Sequence, residues 1–241
     1  MSRSVTSPDA GLPWPMNVEA LTAFAATELA AVANSDKAIP MAAYMKTEQP
    51  FYGVQKPART RILHEMLDRW SPANREQYRA AVLGLWARPR REEQYLALGY
   101  ARAFPRYVTL SSIPLFRRLI VEGAWWDLVD EVAIQLVGDV VRDQRDEATP
   151  KVRPWIDDRD LWLRRTAIIC QVGHKETTDE RLLFEACAAR LHEREFFIRK
   201  AIGWALREYA KTDPDAVRAF VRAHRDEMSA LSIREATKHL G

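Results

Sequence analysis

Residues 125–141 read WWDLVDEVAIQLVGDVV, and the spacing of their apolar side chains decides the fold class. At about 100° per residue, one side of a helix collects apolar side chains: Val129, Ala133, Val137, Val140 and Val141. The opposite side collects polar ones: Asp127, Glu131, Gln135 and Asp139. This division is typical of a helix that packs on a core along one side and meets water along the other.

The same helical period continues through nearly every window from residue 16 onward, and no stretch alternates apolar and polar residues long enough for a sheet. Breakers such as Pro72, Pro89 and Pro105 separate the segments. The predicted helices lie near 16–33, 38–47, 57–70, 73–87, 90–104, 109–122, 125–142, 147–156, 159–172, 179–191, 194–210, 213–224 and 231–239. The sequence therefore predicts an all-α protein.

Many short helices with tight turns fit either a compact bundle or a solenoid of stacked helix pairs. Trp126, Arg165 and Trp204 recur at intervals of about 40 residues, which is close to the length of a HEAT-type repeat. This spacing favours a curved solenoid of HEAT-like antiparallel helix pairs, with these three side chains at equivalent positions on one concave surface. We expect a single domain over residues 16–241 after a flexible tail over residues 1–15.

The composition bounds the class of protein. The chain has 241 residues, of which 47% are hydrophobic and 29% charged, as in a globular protein rather than a disordered one. No apolar run approaches the roughly 18–20 residues of a membrane span, and the first residues lack a signal-peptide core. We therefore expect a cytoplasmic protein. The net charge of +3 points only weakly to a polyanionic partner.

The cysteines and histidines argue against a metal site or a disulfide framework. The two cysteines, Cys170 and Cys187, lie on apolar segments, where small buried side chains are expected. The five histidines are scattered without the spacing of metal ligands, and most are expected on the surface. We expect neither metal nor cofactor.

Asp130 is the acid that departs from the pattern of its helix. It lies one turn beyond Trp126, on the apolar side in line with Val137. A buried carboxylate without a partner is costly, so an acid at this position is either paired or functional. The alternative is an ordinary acid near the helix start, favoured by the helix dipole and wetted at the rim.

The segment REFFIRKAIGWALREYA, residues 194–210, also has an unusual face. Apart from its core stripe, the predicted helix groups two aromatic and two cationic side chains: Phe197, Lys200, Trp204 and Arg207. Aromatics interleaved with cations are typical of a surface that meets nucleic acid or a ligand. Gly203, next to Trp204, permits a close approach. The alternative is that Phe197 and Trp204 pack against the next repeat.

Arg165, in DLWLRRTAIICQV over residues 160–172, falls among apolar neighbours, whereas Arg164 lies on the least apolar side and is expected in solvent. A guanidinium in such surroundings must reach solvent or meet an anion. The sequence leaves two anions open, namely a carboxylate within the protein and a phosphate of a ligand.

Four segments together resemble the AlkD-type DNA alkylation repair glycosylases: MAAYMKTEQPFYGVQKPAR (41–59), EGAWWDLVDEV (122–132), DLWLRRTAII (160–169) and EFFIRKAIGWALREYAKTDPDAV (195–217). The resemblance extends over the chain after its first residues. It implies a stack of HEAT-like repeats that holds duplex DNA and hydrolyses the N-glycosidic bond of N3- and N7-alkylated purines. It also implies an enzyme of base excision repair with neither metal nor cofactor, and we expect a monomer. No lysine is available at the matched site to form a Schiff base with the sugar, so we expect a monofunctional enzyme without strand cleavage.

The resemblance assigns roles to particular residues. It places the catalytic group at Asp130, Trp126, Trp204 and Arg165, with Arg165 holding a phosphate near the lesion. It places DNA contacts at Tyr44, Phe196 and Phe197, and we add Gln55 and Lys56 from the first matching segment and Lys200 and Arg207 from the cationic face of residues 194–210. It further implies capture of the lesion without full extrusion of the damaged base.

Two other functions fit a helical-repeat chain. One is a non-catalytic module that binds damaged or branched DNA, which has no need of a carboxylate such as Asp130 facing a phosphodiester. The other is a protein-binding scaffold, which predicts a concave face rich in leucine or acid rather than in Trp, Lys and Arg. A glycosylase accounts best for Asp130 between Trp126 and Trp204.

Overall fold

The computed structural model describes residues 16–240, and its regular elements are all helical. The all-α prediction is confirmed for these residues, whereas the expected tail over residues 1–15 lies outside them. Within the described chain, no helix has the length and apolar character that a membrane crossing requires. The chain divides after Tyr100 into two compact units, which are described separately.

The first unit consists of α1 (Val18–Ala31), α2 (Ser35–Met45), α3 (Lys56–Arg69), α4 (Arg75–Trp86) and most of α5 (Arg91–Arg102). The helix α1 packs against α3 and α4 and buries Leu21, Ala25 and Leu29 completely. Asparagine side chains begin α1, α2 and α4 by accepting a backbone N–H of the first turn. In contrast, α2 buries none of its side chains.

A buried carboxylate holds the segment between α2 and α3. Both oxygens of Glu92, on α5, accept backbone N–H groups, at 2.9 Å from Tyr52, 2.8 Å from Gly53 and 3.0 Å from Val54. Gly53 adopts a φ of +80°, and a Cβ there would lie 2.0 Å from the carbonyl oxygen of Asn34. This segment therefore enters α3 in a defined conformation.

The second unit contains α6 (Ile113–Gly123), α7 (Trp126–Val132), α8 (Gly138–Asp143), α9 (Arg145–Val152), α10 (Leu161–Ile169), α11 (Glu180–Ala189), α12 (Phe196–Tyr209), α13 (Pro214–Ala223) and α14 (Ala230–Ala236). Short 3₁₀ segments connect several of them, at Pro105–Tyr107, Leu110–Ser112, Arg153–Asp157 and Lys175–Thr177. The helix α10 contacts α6, α7 and α12, and α12 also contacts α14.

One turn of π-helix, Ala133–Val137, joins α7 to α8 without a break. Just after it, Gly138 touches the end of α10: a Cβ at this position would lie 2.3 Å from the carbonyl oxygen of Cys170. Cys170 and Cys187 are both buried and unbridged, as expected from the sequence. The π turn thus begins directly after Val132, the last residue of α7, and three residues after Asp130.

The regular interval between Trp126, Arg165 and Trp204 does not place them at equivalent positions. Trp126 begins α7, whereas Arg165 lies in the middle of α10 and Trp204 beyond the middle of α12. Their surroundings differ too, because Arg165 is buried and both tryptophans are half-buried. The prediction of equivalent positions was wrong, since the three helices begin at different points of the interval.

Two polar residues lie deeper than the sequence indicated. Arg164 is half-buried, and its Nε and Nη2 donate to the two carboxylate oxygens of Glu193, at 2.8 and 3.1 Å. His174 is buried beside Gly138. An apolar helical period identifies the core side of a helix but not the polar residues that cover its ends.

Candidate active site

Asp130 on α7 and Arg165 on α10 form a bidentate ion pair. Nε of Arg165 donates to Oδ1 of Asp130 at 2.7 Å, and Nη2 donates to Oδ2 at 2.8 Å. This is the parallel geometry in which a guanidinium fits a carboxylate best. Because both oxygens accept, this geometry favours the ionised form of the carboxyl group.

The carboxylate is the outer member of this pair. The side chain of Asp130 is 16% exposed and that of Arg165 only 5%. Burial raises the pKa of the Asp130 carboxyl above its ordinary value, and the hydrogen bonds and charge of Arg165 oppose this rise. The partly desolvated carboxylate of Asp130 is therefore stabilised by the more deeply buried guanidinium of Arg165.

Arg165 also connects the pair to α12. Its Nη1 donates to the backbone carbonyl of Phe197 at 2.6 Å. Of the two anions that the sequence left open for Arg165, the structure contains the carboxylate. This placement differs from the phosphate contact that the resemblance implies, because Arg165 is almost inaccessible and its Nε, Nη1 and Nη2 donate to Asp130 and to the Phe197 carbonyl.

Aromatic rings cover the same junction. The ring of Phe197 lies 5.6 Å from that of Trp125 and 5.0 Å from that of Trp162. Phe197 therefore packs against neighbouring helices, as the alternative interpretation of its position had it. Phe196 contacts Phe197 edge-on, with centroids 5.4 Å apart, yet is 51% exposed. Phe196 is thus the member of the aromatic pair that can reach a ligand.

The two tryptophans of the predicted site are both half-buried. Trp126 lies one helical turn before Asp130 on α7, so their side chains project from the same face. Trp204 lies two turns beyond Phe197 on α12, or about 10 Å along the helix axis. The structure thus brings Trp126 and Arg165 to Asp130 and places Trp204 farther along the neighbouring helix.

Lys200 and Arg207, the cations on either side of Trp204, share one partner. Both donate to the carboxylate of Glu235 on α14, Lys200 at 2.8 Å from Oε1 and Arg207 to Oε2. Hydrogen bonds from Lys200 chiefly hold the pKa of Glu235 below its ordinary value. These two predicted DNA-binding cations are therefore ion-paired within the protein.

Three predicted DNA contacts lie in the first unit. Tyr44, near the end of α2, is 74% exposed. Gln55 immediately precedes α3 and accepts a hydrogen bond from Nζ of Lys37 at 3.0 Å, and Lys56 is the first residue of that helix. All three are accessible to a ligand.

Sequence reasoning missed three residues of the site, namely Trp125, Trp162 and Glu235. The tryptophans had a signal, because Trp125 adjoins Trp126 and Trp162 lies one turn before Arg165. Glu235 had none, since its partners are about 30 residues away in the sequence. Among the described residues, no three His, Cys, Asp or Glu side chains are grouped so that they could hold a metal ion.

Comparison with known proteins points to one family. The profile of the family described as "DNA alkylation repair enzyme" matches residues 25–240. A solved structure described as "Predicted DNA alkylation repair enzyme from Enterococcus faecalis" superposes with a TM-score of 0.79 at 31% sequence identity, over 87% of this chain and 97% of that chain. No curated protein matches the sequence.

Proposed function

Because this chain belongs to the family of DNA alkylation repair enzymes, we propose that it is a monofunctional DNA glycosylase acting on cationic alkylpurines in duplex DNA. Alkylation at N3 or N7 leaves the purine positively charged, which weakens its bond to deoxyribose. The base departs without protonation, so the enzyme needs no strong general acid. Its task is to stabilise an oxocarbenium-like sugar and to admit water.

The Asp130 carboxylate is the observation that carries this proposal. It is ionised, partly desolvated and fixed by two hydrogen bonds from Arg165. An anion in these surroundings attracts a developing cation more strongly than one in water. Asp130 faces C1′ of the alkylated nucleotide in the proposed complex and positions the attacking water.

The neighbouring aromatic side chains support the same role. Trp126, one turn from Asp130, presents an indole to the sugar, and indole faces attract cations. The resemblance assigns the second wall of the proposed cleft to Trp204, which lies farther along α12. The exposed ring of Phe196 contacts the DNA beside it.

Water is the nucleophile in this proposal, so the DNA strand stays intact. A glycosylase that also cuts the strand uses an amine to form a Schiff base with the sugar. The lysine of α12, Lys200, is bound to Glu235 instead. The product is then an abasic site and a released base.

The proposal is tested by incubating the protein with methylated duplex DNA and identifying the products. We expect release of 3-methyladenine and 7-methylguanine, and a strand that breaks only after alkali. Unmodified duplex is the matched control, from which no base is released. Stable binding without release of any base would favour the non-catalytic DNA-binding module.

Capture without extrusion of the base has its own consequence. A site that does not enclose the purine tolerates large substituents on it, whereas a pocket excludes them. We expect release of a bulky N3-adenine adduct alongside a methyl lesion in the same duplex. Release of the methyl lesion alone would contradict capture without extrusion.

A further inference from the structure

The C-terminal helix α14 approaches α12 unusually closely at Gly203. A Cβ added to Gly203 would lie 2.4 Å from Cβ of Glu235 and 3.0 Å from the carbonyl oxygen of Ser232. The hydroxyl of Ser232 also donates to the carbonyl of Arg199 at 3.0 Å. The absence of a side chain at Gly203 therefore lets α14 place Glu235 directly against α12.

At this position Glu235 forms ion pairs with two cations at once. Its two carboxylate oxygens accept from Lys200 and Arg207, which lie on either side of Trp204 on α12. The side chain of Lys200 remains 41% exposed, whereas that of Glu235 is only 16% exposed. Solvent, or a ligand, therefore reaches the cation more easily than the carboxylate. A DNA phosphate that reaches Lys200 meets a charge already partly neutralised.

We propose that Glu235 is an internal substitute for a DNA phosphate, which limits the affinity of the α12 surface for DNA. This inference rests on the proposed function, because it takes duplex DNA as the ligand of α12. A backbone phosphate must compete with the carboxylate for Lys200 and Arg207. Glu235 thereby suppresses binding to undamaged DNA and speeds release of the abasic product.

The assignment has a quantitative consequence for salt dependence. Each phosphate that a protein neutralises contributes a slope of about −0.9 to the plot of log affinity against log salt concentration. While Glu235 is present, Lys200 and Arg207 together supply one net positive charge instead of two. Removing the carboxylate charge should steepen the slope by about one.

The experiment measures the affinity of the full chain for undamaged duplex DNA by fluorescence anisotropy across a salt series. Glu235→Gln keeps the size of the side chain and removes its charge, and we expect about tenfold tighter binding at low salt. Glu227→Gln is the matched control, because it removes the same charge from an exposed residue that pairs with His224. We expect this control to change the affinity by less than about twofold.

A second variant keeps the test informative if Glu235→Gln does not fold. We expect Lys200→Gln, made in the wild-type protein, to lower the affinity only about twofold, because Glu235 already opposes the charge of Lys200. Where Glu235→Gln folds, the same change made in that protein should lower the affinity about tenfold. Equal effects of Glu235→Gln and Glu227→Gln would overturn the assignment. So would weaker binding by Glu235→Gln, or a large loss from Lys200→Gln alone.

The two proposals fail in distinguishable ways. If the wild-type protein does not bind duplex DNA, the proposed function itself is wrong. If it binds and releases methylated bases while Glu235→Gln behaves as the control does, only the role of Glu235 is wrong. In single-turnover and multiple-turnover assays, we expect Glu235→Gln to slow product release but not the first turnover.

Discussion

Asp130 owes its position to an arginine that is more deeply buried than itself. Arg165 uses its planar group to bind both oxygens of Asp130 and the carbonyl of Phe197. A lysine carries its three donors on a single nitrogen, so it cannot reproduce the parallel pair of bonds to Asp130 while also reaching Phe197. We therefore regard Arg165 as a positioning residue, which fixes the carboxylate and keeps it ionised.

Arg165→Lys tests this role. The variant keeps the charge but loses the paired hydrogen bonds that lower the pKa of Asp130 against the effect of burial. The pKa of Asp130 should then rise. As the pH is lowered, the rate of base release should therefore begin to fall at a higher pH than in the wild type. At neutral pH we expect the single-turnover rate of base release to be about 10- to 100-fold lower than in the wild type. The measurement is the pH profile of the single-turnover rate.

Arg164→Lys is the control, because Arg164, the residue before Arg165 on α10, forms the same kind of paired bonds with Glu193. We expect its pH profile to match that of the wild type. If Arg165→Lys instead weakens DNA binding and leaves the pH profile unchanged, Arg165 contacts phosphate rather than positioning Asp130.

His174 makes stability depend on pH. Burial lowers its pKa to about 4, and the charges of Arg142 and Arg145 add to this effect, while Gly138 and Asp143 oppose it. The unfolded chain binds a proton near the ordinary value of 6.5, so stability should decline as the pH falls from about 6.5 to about 4. We expect His174→Gln to reduce this decline by roughly 2 kcal/mol. Thermal unfolding of the wild type and of His174→Gln at a series of pH values measures this difference. Equal losses of stability between about pH 6.5 and about pH 4 would contradict the prediction.

At the level of elements, Glu92 controls the segment between α2 and α3. A carboxylate accepts at both oxygens, whereas the amide of Glu92→Gln turns a donor toward one of the three backbone N–H groups. We expect the variant to lose about 1–3 kcal/mol of stability. Amide hydrogen exchange at Tyr52, Gly53 and Val54 should also become faster.

Glu48→Gln serves as the control for Glu92→Gln, because Glu48 is an exposed acid within the same segment between α2 and α3. Its effect on stability should be small. Unchanged amide exchange at positions 52–54 in Glu92→Gln would show that the segment holds its conformation without this carboxylate.

The helices were predictable because their ends carry local signals. Prolines and caps such as Asn74 and Asp213 mark boundaries that agree with the structure within a few residues. The π turn was not predictable, since one extra residue in a turn leaves the apolar pattern on both sides intact. The start of α2, predicted near residue 38, lies at Ser35, where the side chain of Asn34 caps the helix.

At the scale of the whole molecule, the types of site residue were predictable but their pairings were not. Asp130 and Arg165 each stood out from an apolar surface, yet they are separated by 35 residues in sequence. The chain has 36 Lys and Arg residues that could have paired with such an acid. Only the packing of α7 on α10, and of α14 on α12, selects the partners.

The central claim is that the Asp130 carboxylate stabilises the sugar as the base departs. The most direct measurement is the single-turnover release of 7-methylguanine by Asp130→Asn at saturating protein, together with its affinity for the same duplex. Asp139→Asn, which removes an acid paired with Arg142 on α8, is the control. We predict that Asp130→Asn releases the base about 10²- to 10³-fold more slowly, with affinity largely unchanged. An unchanged rate per bound complex would contradict the account.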